Sequence, residues 1–361
     1  MIGTVFSEPL FLGIDYGDSD GNLLNNKHLY GTTKAAARLV EAEEGRPSRP
    51  LSPVQTGTPF RFSGHQTFPL RITWIPKAVG EIVAGRDPLS DIDEGITQLG
   101  LGKNMVEALR CWIVAFQIAS RTESKWKLST VGSLIFDPNS GLDPYFEDVS
   151  TSWLLHWLIS TNNEAPFFAW ECLFNRWPAT EFSASQVIDA FQKESNATAR
   201  AASPVTLRQH WEVFLHSYRL PPADKGEDHL DSAMSMLRLI REFGERPNAA
   251  GKWETLYSFD FGRKQAIPEQ LFAFFLHDWW NRKYRNERTT PLREIVLGEH
   301  SPGRLLKMQE SEIIQRVNEL AARQPTVFQI VESANLRQLH RMQQSDGLND
   351  LKAAYRAPRF L

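Results

Sequence analysis

The amino-acid sequence predicts a mainly α-helical protein of tandem winged helix-turn-helix units with small β wings. In residues 98–119, apolar side chains recur every three or four positions and so share one helix face. In residues 125–128, charged and apolar residues alternate as in a short strand, and Ser129 then offers a favourable helix cap. The helical spacing returns in residues 205–218. A turn, a polar-faced helix, a short strand and a further helix, in that order, are typical of a winged helix-turn-helix.

The bulk composition limits the classes of function. With 361 residues the chain exceeds one typical domain, and its net charge of −3 means that any nucleic-acid site must be a local basic patch. Two cysteines, Cys111 and Cys172, exclude a disulfide framework and a four-cysteine zinc site. The sequence has no apolar run of about 18 residues and no basic-then-apolar leader, so we expect a cytoplasmic protein without a membrane partner.

No nucleotide cofactor is expected. The letters GLGK at residues 100–103 suggest a phosphate-binding loop, but Thr97 stands where the first glycine of that motif belongs and Asn104 follows the lysine.

Changes in pattern along the chain predict four regions. Residues 43–59 are rich in Pro, Ser, Thr and Gly, which is typical of a linker or loosely packed arm. The predicted regions are an N-terminal arm at 1–61, a first winged-helix unit with an acidic segment at 62–160, a second helix-turn-helix unit at 161–228, and a C-terminal helical, winged-helix-like unit at 229–361.

The polar side of the first unit is the leading candidate for DNA contact. Lys103, Asn104 and Arg110 share the polar start and side of the helix predicted after Gly102. Basic residues also stand near the start of the preceding helix and in the short strand. The candidate DNA contacts of this unit are Arg71, Lys77, Lys103, Asn104, Arg110, Lys125 and Lys127. The alternative is an ordinary solvated helix start with a tight entry turn.

Two further segments carry candidate DNA contacts. Arg208 and Gln209 lie on the polar face of the second helical pattern and are side-chain types that read base edges, although both are also ordinary surface residues. The densest basic run occupies residues 281–294, with Arg282, Lys283, Arg285 and Arg288 as candidate phosphate contacts.

For the basic run, the alternative interpretation is a solvated loop before a helix capped by Thr290 with Pro291 at its first position. A buried helix is predicted over residues 234–243, upstream of this run.

An acidic segment follows the first unit and is the candidate catalytic site. Asp143, Glu147 and Asp148 are close in sequence, and hard cations need clustered oxygen ligands, so Asp143 and Glu147 are the candidate metal ligands. His65 is the candidate for proton transfer, because an unperturbed histidine titrates near neutrality. The alternatives are a helix start capped by Ser150 or Thr151 and balanced by the acidic residues, and a structural, hydrogen-bonded His65.

Three sequence blocks resemble a bacterial family catalogued as a domain of unknown function. They are residues 63–78 (SGHQTFPLRITWIPKA), 99–112 (LGLGKNMVEALRCW) and 128–160, and the resemblance extends over about residues 62–355. The family includes SspB, the DNA-nicking component of a DNA phosphorothioation system. The resemblance implies a DNA nickase that uses magnesium or manganese, with double-stranded DNA, a cysteine desulfurase and ATP-using proteins as partners.

Family resemblance does not by itself establish an activity. Two other functions therefore stay open from the sequence. One is a non-catalytic DNA-binding adaptor or regulator, which shares every helix-turn-helix feature. The other is a helical scaffold whose polar helix faces bind protein.

Overall fold

The computed structural model describes residues 59–123, 125–198, 200–219, 232–333 and 336–356. The predicted N-terminal arm lies outside these residues except for 59–61. The described chain is mixed, with more helix than strand, and its strands form three small antiparallel sheets within these ranges. The predicted excess of helix over strand and the predicted small β elements are confirmed, and the division into tandem winged helix-turn-helix units stays a prediction.

The first segment has three helices, a hairpin and a fourth helix. Asp91 caps the second helix by accepting from the backbone N–H groups of Asp93 and Glu94, and Gly100 ends it in the left-handed conformation. Ser129 caps the fourth helix, as predicted, by accepting from Gly132 N–H. The elements are α1 (Trp74–Val83), α2 (Ile92–Leu99), α3 (Lys103–Ala115), β1 (Ala119–Thr122), β2 (Lys125–Leu128) and α4 (Thr130–Phe136).

The middle segment surrounds a three-stranded sheet in which β5 lies between β3 and β4. The helix predicted over 234–243 is wrong. A short 3-10 turn at Ser235–Leu237 leads into β4. The backbone of β4 forms hydrogen bonds with β5 instead of helical hydrogen bonds within its own segment. The elements are α5 (Val149–Ser160), α6 (Phe168–Trp170) with the π-helical turn Glu171–Arg176, β3 (Glu181–Ser183), α7 (Ala184–Asn196), α8 (Pro204–Tyr218), β4 (Ile240–Pro247) and β5 (Trp253–Phe259).

The last segment repeats that topology, with β8 between β6 and β7. Thr290 and Pro291 belong to strand β6, and the next helix begins at Leu292, so the predicted Thr290 cap is wrong because its backbone pairs with β8. The elements are α9 (Glu269–Lys283), β6 (Thr289–Pro291), α10 (Leu292–Leu297), α11 (Pro302–Leu305), α12 (Glu310–Arg323), β7 (Phe328–Ser333), β8 (Leu336–Arg341) and α13 (Leu348–Ala354).

Helix α5 is the centre of the aromatic core. All of its residues from Ser150 to Ser160 are buried, and the Trp157 ring stacks on Phe275 of α9 with centroids 4.8 Å apart. His156 donates to the Leu305 carbonyl through Nε2 (2.9 Å) and accepts from the Tyr218 hydroxyl through Nδ1 (2.7 Å). The helix thus joins elements that are distant in sequence. Within the described ranges, no helix has both the length and the apolar character that crossing a bilayer requires.

Candidate nucleic-acid interface

A cationic surface lies on the first segment, and we call Lys103, Arg121, Lys125 and Lys127 the wing surface. The strand period produces its hairpin part. On β2, Trp126 points inward and is only 8% exposed, while Lys125 and Lys127 on either side point into solvent. Arg121 is exposed on β1, where it pairs in register with Trp126. Alternation therefore puts Lys125 and Lys127 on the outer face of the hairpin, whereas Arg121, directly opposite Trp126 on the antiparallel neighbour, lies on the same face as Trp126.

Helix α3 supplies the rest of the wing surface. Lys103 is its first residue, after Gly102 as the N-cap, and both Lys103 and Asn104 are exposed. No carboxylate among the described residues forms an ion pair with any of the four wing cations, so only solvent neutralises them. Arg121 is not among the residues predicted from the sequence, because Ala119–Thr122 has three consecutive exposed residues and no alternation that would single it out.

Three other predicted contacts of this unit have different surroundings. Arg110 is half-buried and donates from Nη2 to the Ser90 carbonyl (3.2 Å), so it does not extend into solvent beside Lys103. Lys77 is exposed and donates to the Leu99 carbonyl (3.2 Å), where it balances the C-terminal end of α2. Arg71 is half-buried, and its backbone forms an isolated antiparallel bridge with Ser232.

The second candidate surface lies on α8. Arg208 and Gln209 are exposed, one turn after Val205, whose exposed fraction is 65%. Their contact with DNA stays a prediction.

The basic run 281–294 is partly neutralised within the chain. Arg282 donates from Nε to Asp278 (2.8 Å) and from Nη1 to the Thr161 carbonyl (3.0 Å). The ammonium group of Lys283 lies 3.6 Å from the Glu294 carboxylate. Arg285 and Arg288 remain exposed. The run therefore divides into two parts. Arg282 and Lys283, at the end of α9, contact partners within the chain, whereas Arg285 and Arg288, in the following loop, are exposed.

His65, the candidate for proton transfer, is a core residue with 1% of its surface exposed. Its Nδ1–H donates to the Gln66 carbonyl (2.8 Å), and its Nε2 accepts from His210 Nδ1–H (2.9 Å). His210 Nε2 in turn accepts from the Ala169 backbone N–H (3.0 Å). Burial lowers the pKa of His65 to about 4 and holds the pKa of His210 well below its usual value. Both rings are neutral at pH 7, so this geometry matches the structural alternative and gives no support to proton transfer by His65.

The acidic segment has the geometry of a helix start. The Asp143 carboxylate, 5% exposed, accepts from the backbone N–H groups of Glu147 (2.7 Å) and Asp148 (3.1 Å), and from the Thr151 hydroxyl. Asp148 is the N-cap of α5 and accepts from Ser150 N–H (2.7 Å), so the cap is Asp148 and not Ser150 or Thr151. Glu147 is exposed. The structure brings the backbone of these residues together, with Asp143 and Asp148 buried at the helix start and Glu147 exposed.

A divalent metal does not fit Asp143 and Glu147 as they stand. Both oxygens of Asp143 already accept hydrogen bonds from within the chain, and its partner carboxylate is in solvent. More broadly, no set of three or more His, Cys, Asp or Glu side chains in the described part of the chain is placed to hold a metal ion. The catalytic assignment of Asp143, Glu147 and Asp148 stays a prediction without support from this geometry.

Comparisons with known proteins identify related sequences and folds. The family "Protein of unknown function (DUF4007)" matches residues 62–355. A magnesium ion-bound crystal structure of SspB has a TM-score of 0.71 and 21% identity, covering 84% of this chain and 88% of that one. Another SspB crystal structure has a TM-score of 0.72 and 22% identity over the same shares. At this identity the likeness to SspB is one of fold. No curated protein matches the sequence.

Proposed function

Because this chain belongs to the DUF4007 family and carries an unneutralised cationic wing, we propose that it binds double-stranded DNA as a component of a bacterial DNA phosphorothioation system. The single observation that carries the proposal is the wing surface. Lys103, Arg121, Lys125 and Lys127 are all exposed, and none has an acidic partner among the residues that the structure describes. In a chain of net charge −3, such a local patch is where polyanionic DNA would bind.

The arrangement of elements supports the proposal. In the first segment α1, α2 and α3 precede the β1–β2 hairpin. In each of the two later segments a short strand is followed by helices and then by a hairpin. The second strand of that hairpin is the central strand of the three-stranded sheet. We interpret all three segments as winged helix-turn-helix units. In that architecture a helix enters the major groove and its neighbours contact the backbone. Here α3 would enter the groove and the wing surface would hold phosphate.

The place in a phosphorothioation system rests on the family and on the fold shared with SspB. The proposed partners are a cysteine desulfurase and ATP-using proteins, and the proposed setting is the cytoplasm. Strand nicking is a second, narrower hypothesis. It is favoured by the resemblance to the family of SspB, one of whose structures is magnesium ion-bound. The geometry of the structure supports none of the catalytic residues that were predicted from the sequence.

The test of DNA binding is a salt series with a short fluorescent duplex. Binding of the wild-type chain should weaken linearly on a log–log scale as salt rises, because phosphate contacts release counterions. The variant Lys125→Gln/Lys127→Gln should lose roughly 0.9 of slope per side chain and bind roughly tenfold more weakly per lost contact at about 0.1 M salt. Its melting temperature should not change, since both side chains are exposed. Binding that is absent, or insensitive to salt, would contradict the proposal and favour the protein-binding scaffold.

Nicking is tested separately on supercoiled plasmid with and without magnesium. Relaxed circles that appear only with magnesium would support the nickase. DNA binding without relaxed circles would favour the non-catalytic adaptor instead.

A further inference from the structure

A cavity of about 450 Å³ opens beside the wing, on the side of α3 that follows Lys103. Its volume lies within the range of about 300–1,000 Å³ that small-molecule sites occupy. Glu107, Arg110 and Val114 line it at positions that share one side of α3, and Lys103 lies one turn before Glu107 on that side. The cavity is therefore continuous with the helix face that would approach DNA.

Two guanidinium groups line this cavity without an acidic partner. Arg61 donates to the Cys111 sulfur (3.2 Å), and Arg110 donates to the Ser90 carbonyl (3.2 Å). Neither forms an ion pair with any described carboxylate, and the buried Nε of Arg110 has no hydrogen-bond partner. Half-buried cations without a counter-charge are costly, so the cavity favours an anionic group.

The remaining walls suit a flat base. The Trp126 ring and the Val114 side chain provide apolar surface. Glu107 accepts from the Gln66 amide (2.7 Å), and together they offer hydrogen-bonding groups of the kind that meet base edges. A nucleotide combines both features, since its phosphate is anionic and its base is planar and partly apolar.

We propose that this cavity takes one unstacked nucleotide of bound DNA, with its phosphate on Arg61 and Arg110 and its base against Trp126. The proposal rests on the proposed DNA binding. Arg121 pairs directly with Trp126 across the hairpin and so lies on the face of the hairpin that lines the cavity, where a backbone held by Arg121 would pass beside it. Extruding a base costs unpairing and unstacking energy, and a nucleotide that is already unpaired avoids most of that cost.

The test compares a paired duplex with the same duplex carrying one unpaired, bulged nucleotide. Wild type should bind the bulged duplex roughly tenfold more tightly, because base stacking on aromatic rings and avoided unpairing both favour it. Val114→Trp fills the cavity without removing a charge and should abolish this preference while leaving affinity for the paired duplex. Val83→Trp, the same substitution at an exposed position of α1, is the matched control and should keep the preference.

Arg110→Gln is a second variant, to be used if Val114→Trp does not fold. It should reduce the preference for the bulged duplex, because it removes one phosphate contact. Equal affinity of wild type for both duplexes, with normal salt dependence, would overturn the cavity proposal and leave the wing intact. Absence of binding to either duplex would overturn both proposals. Free dAMP could bind wild type but not Val114→Trp while wild type binds the bulged and paired duplexes equally. That result would mean that the cavity holds a free nucleotide, and it would overturn the proposal that the cavity takes a nucleotide of bound DNA.

Discussion

The wing surface and the buried polar groups around His65 and Asp143 differ in what satisfies their polar atoms. Lys125 and Lys127 are exposed to solvent, and neither forms an ion pair with a described carboxylate. His65 shares hydrogen bonds with Gln66 and His210, and Asp143 accepts from two backbone amides and a hydroxyl. A hydrated cation can exchange water for phosphate at little cost, whereas a buried partner cannot leave its bond without a penalty of about 1–3 kcal/mol. Binding should therefore depend on the first region and stability on the second.

Lowering the pH should produce the largest difference between the two regions. The folded pKa of His65 is about 4, below the usual value of 6.5, so the unfolded chain binds the proton first. The stability that this provides is complete above pH 6.5 and is lost as the pH falls toward 4. At about 1.36 kcal/mol per pKa unit, His65 alone accounts for about 3 kcal/mol.

His156, with its pKa lowered by burial to about 3, and His277, lowered to about 4, act in the same direction. The measurement is the free energy of unfolding by denaturant at pH 7.5, 6 and 5. DNA affinity per folded molecule should stay nearly constant over that range, since the wing surface consists of lysine and arginine and contains no histidine. A flat stability profile would mean that these histidines are not held neutral by burial.

Asp143→Asn should produce the next largest effect, a loss of about 2 kcal/mol of stability, because one of three donors loses its acceptor. The exposed neighbour offers a matched control: Glu147→Gln should change stability by less than about 0.5 kcal/mol. The salt slope of DNA binding should match wild type in both variants. If the wild type nicks plasmid and folded Asp143→Asn does not, then Asp143 has a role beyond its structural one.

The basic run should give the smallest effects and divide into two parts. Arg282→Ala should cost about 1 kcal/mol of stability without changing the salt slope, since Arg282 bonds Asp278 and the Thr161 carbonyl. Arg285→Gln/Arg288→Gln should leave stability unchanged, and we expect a smaller loss of slope than in the lysine pair of the wing. A larger loss from the Arg285 and Arg288 pair would move the main DNA contact from the first segment to the third.

Local rules in the sequence determined much of the first segment. A period of three to four residues defines the buried face of α3, and a period of two puts Trp126 inside and Lys125 and Lys127 outside. Ser129 caps its helix through a neighbour three residues away. These features need only the geometry of one element and the presence of some core, so a single sequence is enough to find them.

The tertiary structure alone decided which polar residues are free. His65 meets a partner 145 positions away, and Arg282 donates to a carbonyl 121 positions away. The segment 234–243 has a helical pattern, yet β4 forms there because strand β5 pairs with it. Neither composition nor periodicity encodes such distant partners. Since burial and pairing set both the pKa and the availability of a polar side chain, its role followed from the fold and not from its residue type.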